Sequence, residues 1–277
     1  MNKIKFTKMH GAGNDFVLVD DRDGSFPAHD HLRLAALAAP RTGIACEGVI
    51  LVQSSARADF RMVFFNPDGT EADLCGNGAR CVAAFAREIG AARGAAMTFE
   101  TRAGLVDAEV ISEGHVKLWM PEPKGRRYDI NVDGTAGDFI VAGVPHFIVQ
   151  CQNVAAVDVS AQGRALRLAD AFAPEGANID FVKYISPNRA VIRTYERGVE
   201  AESGACGTGA VAAAVVGVER KGMSLPMRIR TAQGFDLVVD GDWRRSKSTG
   251  FTLSGPVKKV FEGEIDLDSL DVSCEME

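Results

Sequence analysis

Two cysteines in this 277-residue chain stand where proton chemistry is open to them. Cys75 lies in Leu74-Cys75-Gly76-Asn77-Gly78-Ala79 and Cys206 in Ala205-Cys206-Gly207-Thr208-Gly209-Ala210, one C-G-[NT]-G-A element written twice. Each copy opens a segment of helical character. A helix N-terminus presents its first N–H groups and the positive end of the macrodipole, so a thiol there ionises more readily than one in a core. The glycines let backbone approach a ligand closely, and Gly76-Asn77 and Gly207-Thr208 offer amides to an anion such as a carboxylate. Two such thiols acting on one carbon form a two-base pair: a thiolate removes a proton from one face and a thiol returns one to the other. The carboxylate beside that carbon gathers charge as the proton leaves, and the amides would stabilise it. Neither a pyridoxal lysine nor a metal is required, so no cofactor is expected. One C-G-x-G turn alone reads as a tight strand-to-helix connection; its duplication in matching positions points to a site.

The other four cysteines, Cys46, Cys81, Cys151 and Cys274, read as small buried hydrophobes. No pair is spaced C-x-x-C, which argues against structural zinc and a redox dithiol. A chain of this length can build a core without disulfides. Its net charge of −6, with 46% hydrophobic and 25% charged residues, is ordinary for a globular protein. That balance argues against nucleic acid or an anionic membrane as partner. No apolar run approaches the roughly 18 residues of a membrane span. Met1-Asn2-Lys3-Ile4-Lys5-Phe6 has no hydrophobic signal core, so a cytoplasmic protein is expected.

Short runs of β-branched and aromatic residues between Gly, Pro and Asp punctuation predict many strands. They fall in one series from Lys3 to Met120 and a second from Asp138 to Ser254. Two helices interrupt them. Gly78–Ile89 carries Val82, Phe85, Ala86 and Ile89 at helical spacing, with Arg80, Arg87 and Glu88 on other faces. Gly209–Val218 is apolar all the way round and must be wrapped by sheet. A weaker helix covers His31–Ala39. The repeat, about 131 residues apart and close to half the chain, predicts an α+β fold. Its two similar pseudo-symmetric domains would each wrap a curled, mostly antiparallel sheet around a central helix, with the active site in the cleft between them. Pro121-Glu122-Pro123-Lys124-Gly125 is the natural boundary. Residues 1–122 would form the N-terminal half and 123–263 the C-terminal half, with 264–277 packing back on the first.

Longer motifs carry a resemblance over nearly the whole chain. They are Met9-His10-Gly11-Ala12-Gly13-Asn14-Asp15-Phe16, the run Phe65-Asn66-Pro67-Asp68-Gly69-Thr70-Glu71-Ala72-Asp73-Leu74-Cys75-Gly76-Asn77-Gly78-Ala79-Arg80-Cys81, and Arg193-Thr194-Tyr195-Glu196-Arg197-Gly198 continuing to Cys206-Gly207-Thr208-Gly209. Together they resemble the diaminopimelate epimerase family. The resemblance implies a pyridoxal-independent enzyme that interconverts LL- and meso-diaminopimelate for lysine and cell-wall synthesis, acts on a small amino-acid substrate and often forms homodimers. It implies that Cys75 and Cys206 are the acid/base pair. Gly76, Asn77, Gly207 and Thr208 would hold the reacting carboxylate. Asn14, Asn66, Asn178, Glu196 and Arg197 match substrate-binding positions, and Arg197 suits a distal carboxylate through its bidentate fork. His146 and Glu196 match polar residues beside the thiols.

Three departures touch the far end of the substrate. Val144 stands in Gly143-Val144-Pro145-His146 where the family commonly has asparagine. Val199–Ala205 is one residue longer than in many members, and Glu47 replaces a more usual aspartate. They keep open a racemase of another amino acid on the same scaffold. From a different class, an amino-acid binder could use the glycine amides without chemistry, but that gives no reason for a thiol in both halves. Taken without the resemblance, Asn66 before Pro67-Asp68-Gly69 reads as a turn residue, Glu196-Arg197 as a surface ion pair, and His10 as a strand end or a site residue.

Overall fold

The valine-, isoleucine- and phenylalanine-rich runs become strands, as their composition predicts, and the chain divides into two compact units, Met1–Leu118 with Pro256–Glu277, and Trp119–Gly255. The computed structural model describes residues 3–241 and 250–272, so Cys274 lies outside them. The first unit contains β1 (Lys3–Gly11), β2 (Asn14–Asp20), α1 (His31–Ala38), β3 (Val49–Gln53), β4 (Phe60–Phe65), β5 (Glu71–Ala72), α2 (Gly76–Glu88), β6 (Ala96–Thr101), β7 (Gly104–Ser112) and β8 (His115–Trp119). The second contains β9 (Lys124–Val132), β10 (Thr135–Ala142), β11 (Val144–Gln150), α3 (Val159–Arg167), β12 (Asn178–Ser186), β13 (Arg189–Glu196), β14 (Ala201–Ser203), α4 (Gly207–Lys221), β15 (Met227–Arg230) and β16 (Asp236–Asp240). A last long strand, β17 (Thr252–Asp266), begins beside β16 and ends beside β1.

In the first unit the hydrogen-bonded order is β17-β1-β2-β3-β4-β6-β7-β8, and β8 pairs with β17 again. The eight strands therefore close into a ring, and α2 runs inside it against β1, β2, β3, β4 and β7. α1 covers the outside, where Leu34 and Leu37 pack on Val17, Val49, Leu51 and Phe65. Both faces of β3 are thus buried, which is why Val49-Ile50-Leu51-Val52 is continuously apolar. In the second unit the order is β9-β10-β11-β12-β13-β15-β16-β17, with β14 on β13 and α4 against β10 to β13, β15 and β16. The parallel pairs also correspond: β2–β3 and β4–β6 in the first unit, β11–β12 and β13–β15 in the second. The two compact units therefore share one chain path, and the α+β, sheet-dominated expectation holds.

Four local expectations change. α2 and α4 begin directly after the cysteines, two residues earlier than periodicity alone suggested, and α4 continues to Lys221, where Gly222 ends it in the left-handed conformation (φ 66°). Arg80, assigned by spacing to a polar helix face, is fully buried, because the first turns of α2 have sheet on every side. α3 was not expected. Asp158 caps it by accepting from the Ala161 amide, and its Val159 and Leu166 pack on Ile179, Phe181 and Tyr195. β9 begins within Pro121–Gly125, the stretch that reads as the boundary, and continues to Val132.

Candidate active site

Each cysteine is the N-cap of its helix. Cys75 and Cys206 both have extended backbones (φ −121°, ψ 121° and φ −108°, ψ 109°), and each carbonyl accepts the first helical hydrogen bond, from Ala79 at 2.7 Å and Ala210 at 3.1 Å. The sulfurs therefore stand at the positive ends of α2 and α4, with the amides of the first turn directed the same way.

In the first unit, Ala12 and Gly13 form a two-residue hairpin with positive φ at both (54° and 90°), between Gly11 and Asn14, which pair directly. Gly11 has a steric reason to be glycine: a Cβ there would lie 2.7 Å from the Asn77 carbonyl oxygen in the first turn of α2. His10 Nδ1 accepts from the Gly13 amide at 3.3 Å, a hairpin role. The turn delivers Asn14 with its Oδ1 buried and without a partner, an acceptor suited to an ammonium donor. Asn66 closes a second turn, its amide donating to the Thr70 carbonyl and its Nδ2 to Thr70 Oγ1 at 3.2 Å. Behind Cys75 lies Arg80, whose Nη2 donates to Asn77 Oδ1 at 2.6 Å and Nη1 to the Gly76 carbonyl at 3.4 Å. Its Nε has no partner, and among the described residues no carboxylate pairs with it. Burial lowers the Arg80 pKa, while the thiols of Cys81 and Cys75 act against that fall; reciprocally, the guanidinium favours a thiolate at either. Burial pushes the Cys81 thiol far up, so it is a packing residue.

The second unit gathers its residues by strand register. His146 on β11 pairs with Asn178 on β12, and Asp180 on β12 pairs with Thr194 on β13. Paired residues and residues two apart share a face, so these four side chains point together toward the start of α4. His146 Nδ1 lies 2.7 Å from Asp180 Oδ2, both fully buried, and Thr194 Oγ1 donates to Asp180 Oδ1 at 2.6 Å. His146 Nε2 is 3.0 Å from Thr208 Oγ1, which is 3.4 Å from Cys206 Sγ. Asn178 Oδ1 accepts from the Arg197 amide at 2.8 Å, and its Nδ2 donates to Cys206 Sγ at 3.9 Å. Among the described residues the part-buried Arg197 guanidinium meets the exposed Glu175 alone, 3.4 Å from its carbonyl and 3.6 Å from its carboxylate, a weak surface contact. Burial, then Glu196 and Asp180, push the Cys206 thiol well up, against the Thr208 hydroxyl and Gly209 amide.

The structure thus joins His146, Asn178, Arg197, Cys206 and Thr208 in one hydrogen-bonded cluster, with Glu196 within electrostatic reach. It sets Cys75, Gly76 and Asn77 on one turn of the other unit, and Asn14 and Asn66 in two hairpin turns there. Asp180, Thr194 and Arg80 are buried neighbours of these residues that sequence reasoning missed. Cys46 and Cys151 pack against the two cores. Among the described residues no cluster of three or more His, Cys, Asp or Glu side chains could hold a metal, and no helix is long and apolar enough to cross a membrane.

Comparison with known proteins identifies the family. The chain matches the family model described as diaminopimelate epimerase over residues 6–124 and 139–250. It is 40% identical to the diaminopimelate epimerase of Aquifex aeolicus, covering 97% of this chain and 100% of that one. It is 37% identical to the protein of that name from Chlorobaculum tepidum, covering 94% and 100%. Among solved structures, a phenazine biosynthesis protein of the PhzF family from Bacillus anthracis shares the fold with a TM-score of 0.73 at 20% identity, over 96% of this chain and 99% of that chain. A probable proline racemase from Agrobacterium radiobacter shares it with a TM-score of 0.70 at 18% identity, over 97% and 94%.

Proposed function

The chain belongs to the diaminopimelate epimerase family, and we propose that it interconverts LL- and meso-2,6-diaminopimelate by two-base proton transfer at the α-carbon. It is an isomerase of lysine biosynthesis, and its product class also serves peptidoglycan precursors. The observation that carries the mechanism is the pair of thiols, each at the N-cap of the central helix of its unit.

In one direction the thiolate of one cysteine removes the α-proton while the thiol of the other protonates the opposite face; in the reverse direction the roles exchange. The amides of Gly76-Asn77 and Gly207-Thr208 hold the α-carboxylate and stabilise charge that develops on it. Asn14, Asn66 and Asn178 fix the polar groups of the substrate, and the unpartnered Asn14 Oδ1 suits an ammonium. Arg197, loosely held at the surface, takes the distal carboxylate through its fork. Glu196 and His146 set the environment of Cys206. Within the same reading the protein is a cytoplasmic homodimer. Cys46, Cys81, Cys151 and Cys206 are free thiols, which suits a reducing compartment, and sedimentation velocity with cell fractionation tests both statements.

The deciding measurement is incubation of the reduced protein with LL- and meso-diaminopimelate in heavy water. Interconversion with deuterium uptake at the α-carbon is expected. Absence of both overturns the reading. A panel of other α-amino acids in the same assay separates it from a racemase of a different amino acid, the outcome Val144 would favour.

A further inference from the structure

Cys206 must ionise to act as a base, yet it is buried, and a bare thiolate beside Glu196 and Asp180 is costly. A nearby group has to accept its proton. We propose that Asp180 is a positioning residue that completes a buried proton relay, Asp180–His146–Thr208–Cys206, in which His146 stores the thiol proton while Cys206 works as a base. The proposal rests on the two-thiol reading above and extends it to residues beyond the cysteine turns.

The distances fit two protonation states of one chain of groups. In the resting state the Cys206 S–H donates to Thr208 Oγ1 (3.4 Å), the Thr208 O–H donates to His146 Nε2 (3.0 Å), and the His146 Nδ1–H donates to Asp180 Oδ2 (2.7 Å). In the active state the imidazolium Nε2–H donates to Thr208 and the Thr208 O–H donates to the thiolate. Conversion balances within the site. The S–H bond breaks as an O–H bond forms on Thr208, and the original Thr208 O–H breaks as an N–H bond forms on Nε2. The positive ring then lies between the thiolate and the Asp180 carboxylate and offsets the repulsion that makes a lone thiolate costly. Asp180 keeps the same hydrogen bond throughout, so it fixes which ring nitrogen faces Thr208, the division of labour of an Asp–His pair behind a nucleophile.

Asp180 is built into this role. Its second oxygen accepts from Thr194 at 2.6 Å, which leaves Oδ2 for the ring. The first turn of α4 closes directly on it, since a Cβ at Gly209 would lie 2.5 Å from Oδ1. A fully buried carboxylate with two committed donors cannot swing away from His146 without disturbing the turn that carries Cys206.

The test combines a spectroscopic signature with a kinetic one on the full-length protein. Histidine 15N shifts, with His146 identified by its loss in His146→Gln, should show the resting neutral ring protonated on Nδ1 and bare on Nε2. Asp180→Asn should move the proton to Nε2 and lower kcat about 10²-fold with KM little changed. Thr208→Val, which leaves the Asp180–His146 pair intact, should cost a similar factor, and Thr208→Ser should restore it. A neutral His146 carrying its resting proton on Nε2 overturns the relay, as does full kcat in Thr208→Val. If the parent protein shows no α-deuterium uptake, the functional reading falls and takes the relay with it. If the parent exchanges deuterium but His146 has the other tautomer, the relay alone fails.

Discussion

The two cysteine turns have the same backbone and opposite surroundings. Register aligns them closely: Val17 pairs with Val49 as Phe147 pairs with Ile179, and Ile50 pairs with Phe64 as Asp180 pairs with Thr194. Phe16, Ile50 and Phe64 in the first unit therefore occupy the places of His146, Asp180 and Thr194 in the second. Phe16 and Phe64 meet edge to face with centroids 6.1 Å apart, where the second unit has its hydrogen-bonded trio. The helices reverse the trade. Arg80 on α2 is a buried cation, and the corresponding place on α4 is the buried Val211. The start of α2 thus lies on an apolar wall and a guanidinium, the start of α4 on a carboxylate, an imidazole and a hydroxyl. A duplicated scaffold has kept its geometry and diverged in its charges, so the two thiols are unequal before any substrate arrives.

The largest effects test whether both turns are needed. Cys75→Ala and Cys206→Ala should each lower epimerisation about 10⁴-fold, measured by interconversion of the two stereoisomers; near-parental turnover in either would break the pairing. Next come the glycines that separate the two walls. Gly209→Ala drives a Cβ to 2.5 Å from the pinned Asp180 carboxylate and should cost about 2–3 kcal/mol in urea denaturation. Gly78→Ala meets only the flexible end of Ile50, at 2.9 Å, and should cost about 1 kcal/mol or less. Equal losses would mean the walls do not differ in rigidity.

A smaller effect isolates the cation. Arg80→Met should slow iodoacetamide alkylation of Cys75 near neutral pH about tenfold and leave Cys206 unchanged in the same sample, as read by peptide mass mapping. A change at Cys206 instead, or none at Cys75, would remove Arg80 from the comparison. The smallest concerns alkaline stability. Burial holds Cys81 and Cys206 protonated in the folded protein above the ordinary thiol value of 9.0, so the unfolded chain ionises first. Their contribution is complete below that value and is lost as pH rises past it, by about 1 kcal/mol per pH unit for each thiol. Cys81→Ala should flatten the alkaline fall in stability; an unchanged slope would contradict the burial.

Much of this was legible in the residues and some was not, for physical reasons. The doubled Cys-Gly-x-Gly turn, the all-apolar α4 and most strands stand out because each is a local pattern. Arg80 was hidden because helical spacing put it with Arg87 and Glu88, and only those two emerge beyond the sheet. Asp180 was hidden because β12 is covered twice. Ile179 and Phe181 pack under α3 while Asn178 and Asp180 face α4, so neither face shows a solvent signature. The remaining signal was polar residues at period two, Asn178 and Asp180, then Thr194 and Glu196, in otherwise apolar strands. α3 carries Gly163 at its centre, a poor helix former, because a Cβ there would meet Tyr195 Cβ at 2.3 Å. Its helix is a product of packing that no local propensity announces.

The path of β17 sets an order of assembly. Its residues Val257 to Asp266 pair with β1 from Gly11 back to Lys3, so β1 finds this neighbour only after the second unit has been made. A nascent chain that has emerged through β8 holds seven of the eight ring strands and the whole of α2, with β1 and β8 still raw edges. Closure of the earlier unit must wait for the ribosome to finish the later one, a contact of long sequence separation and correspondingly slow to form. The unit that carries Cys75 is begun first and completed last, so chains cut short during translation keep that turn on an open sheet.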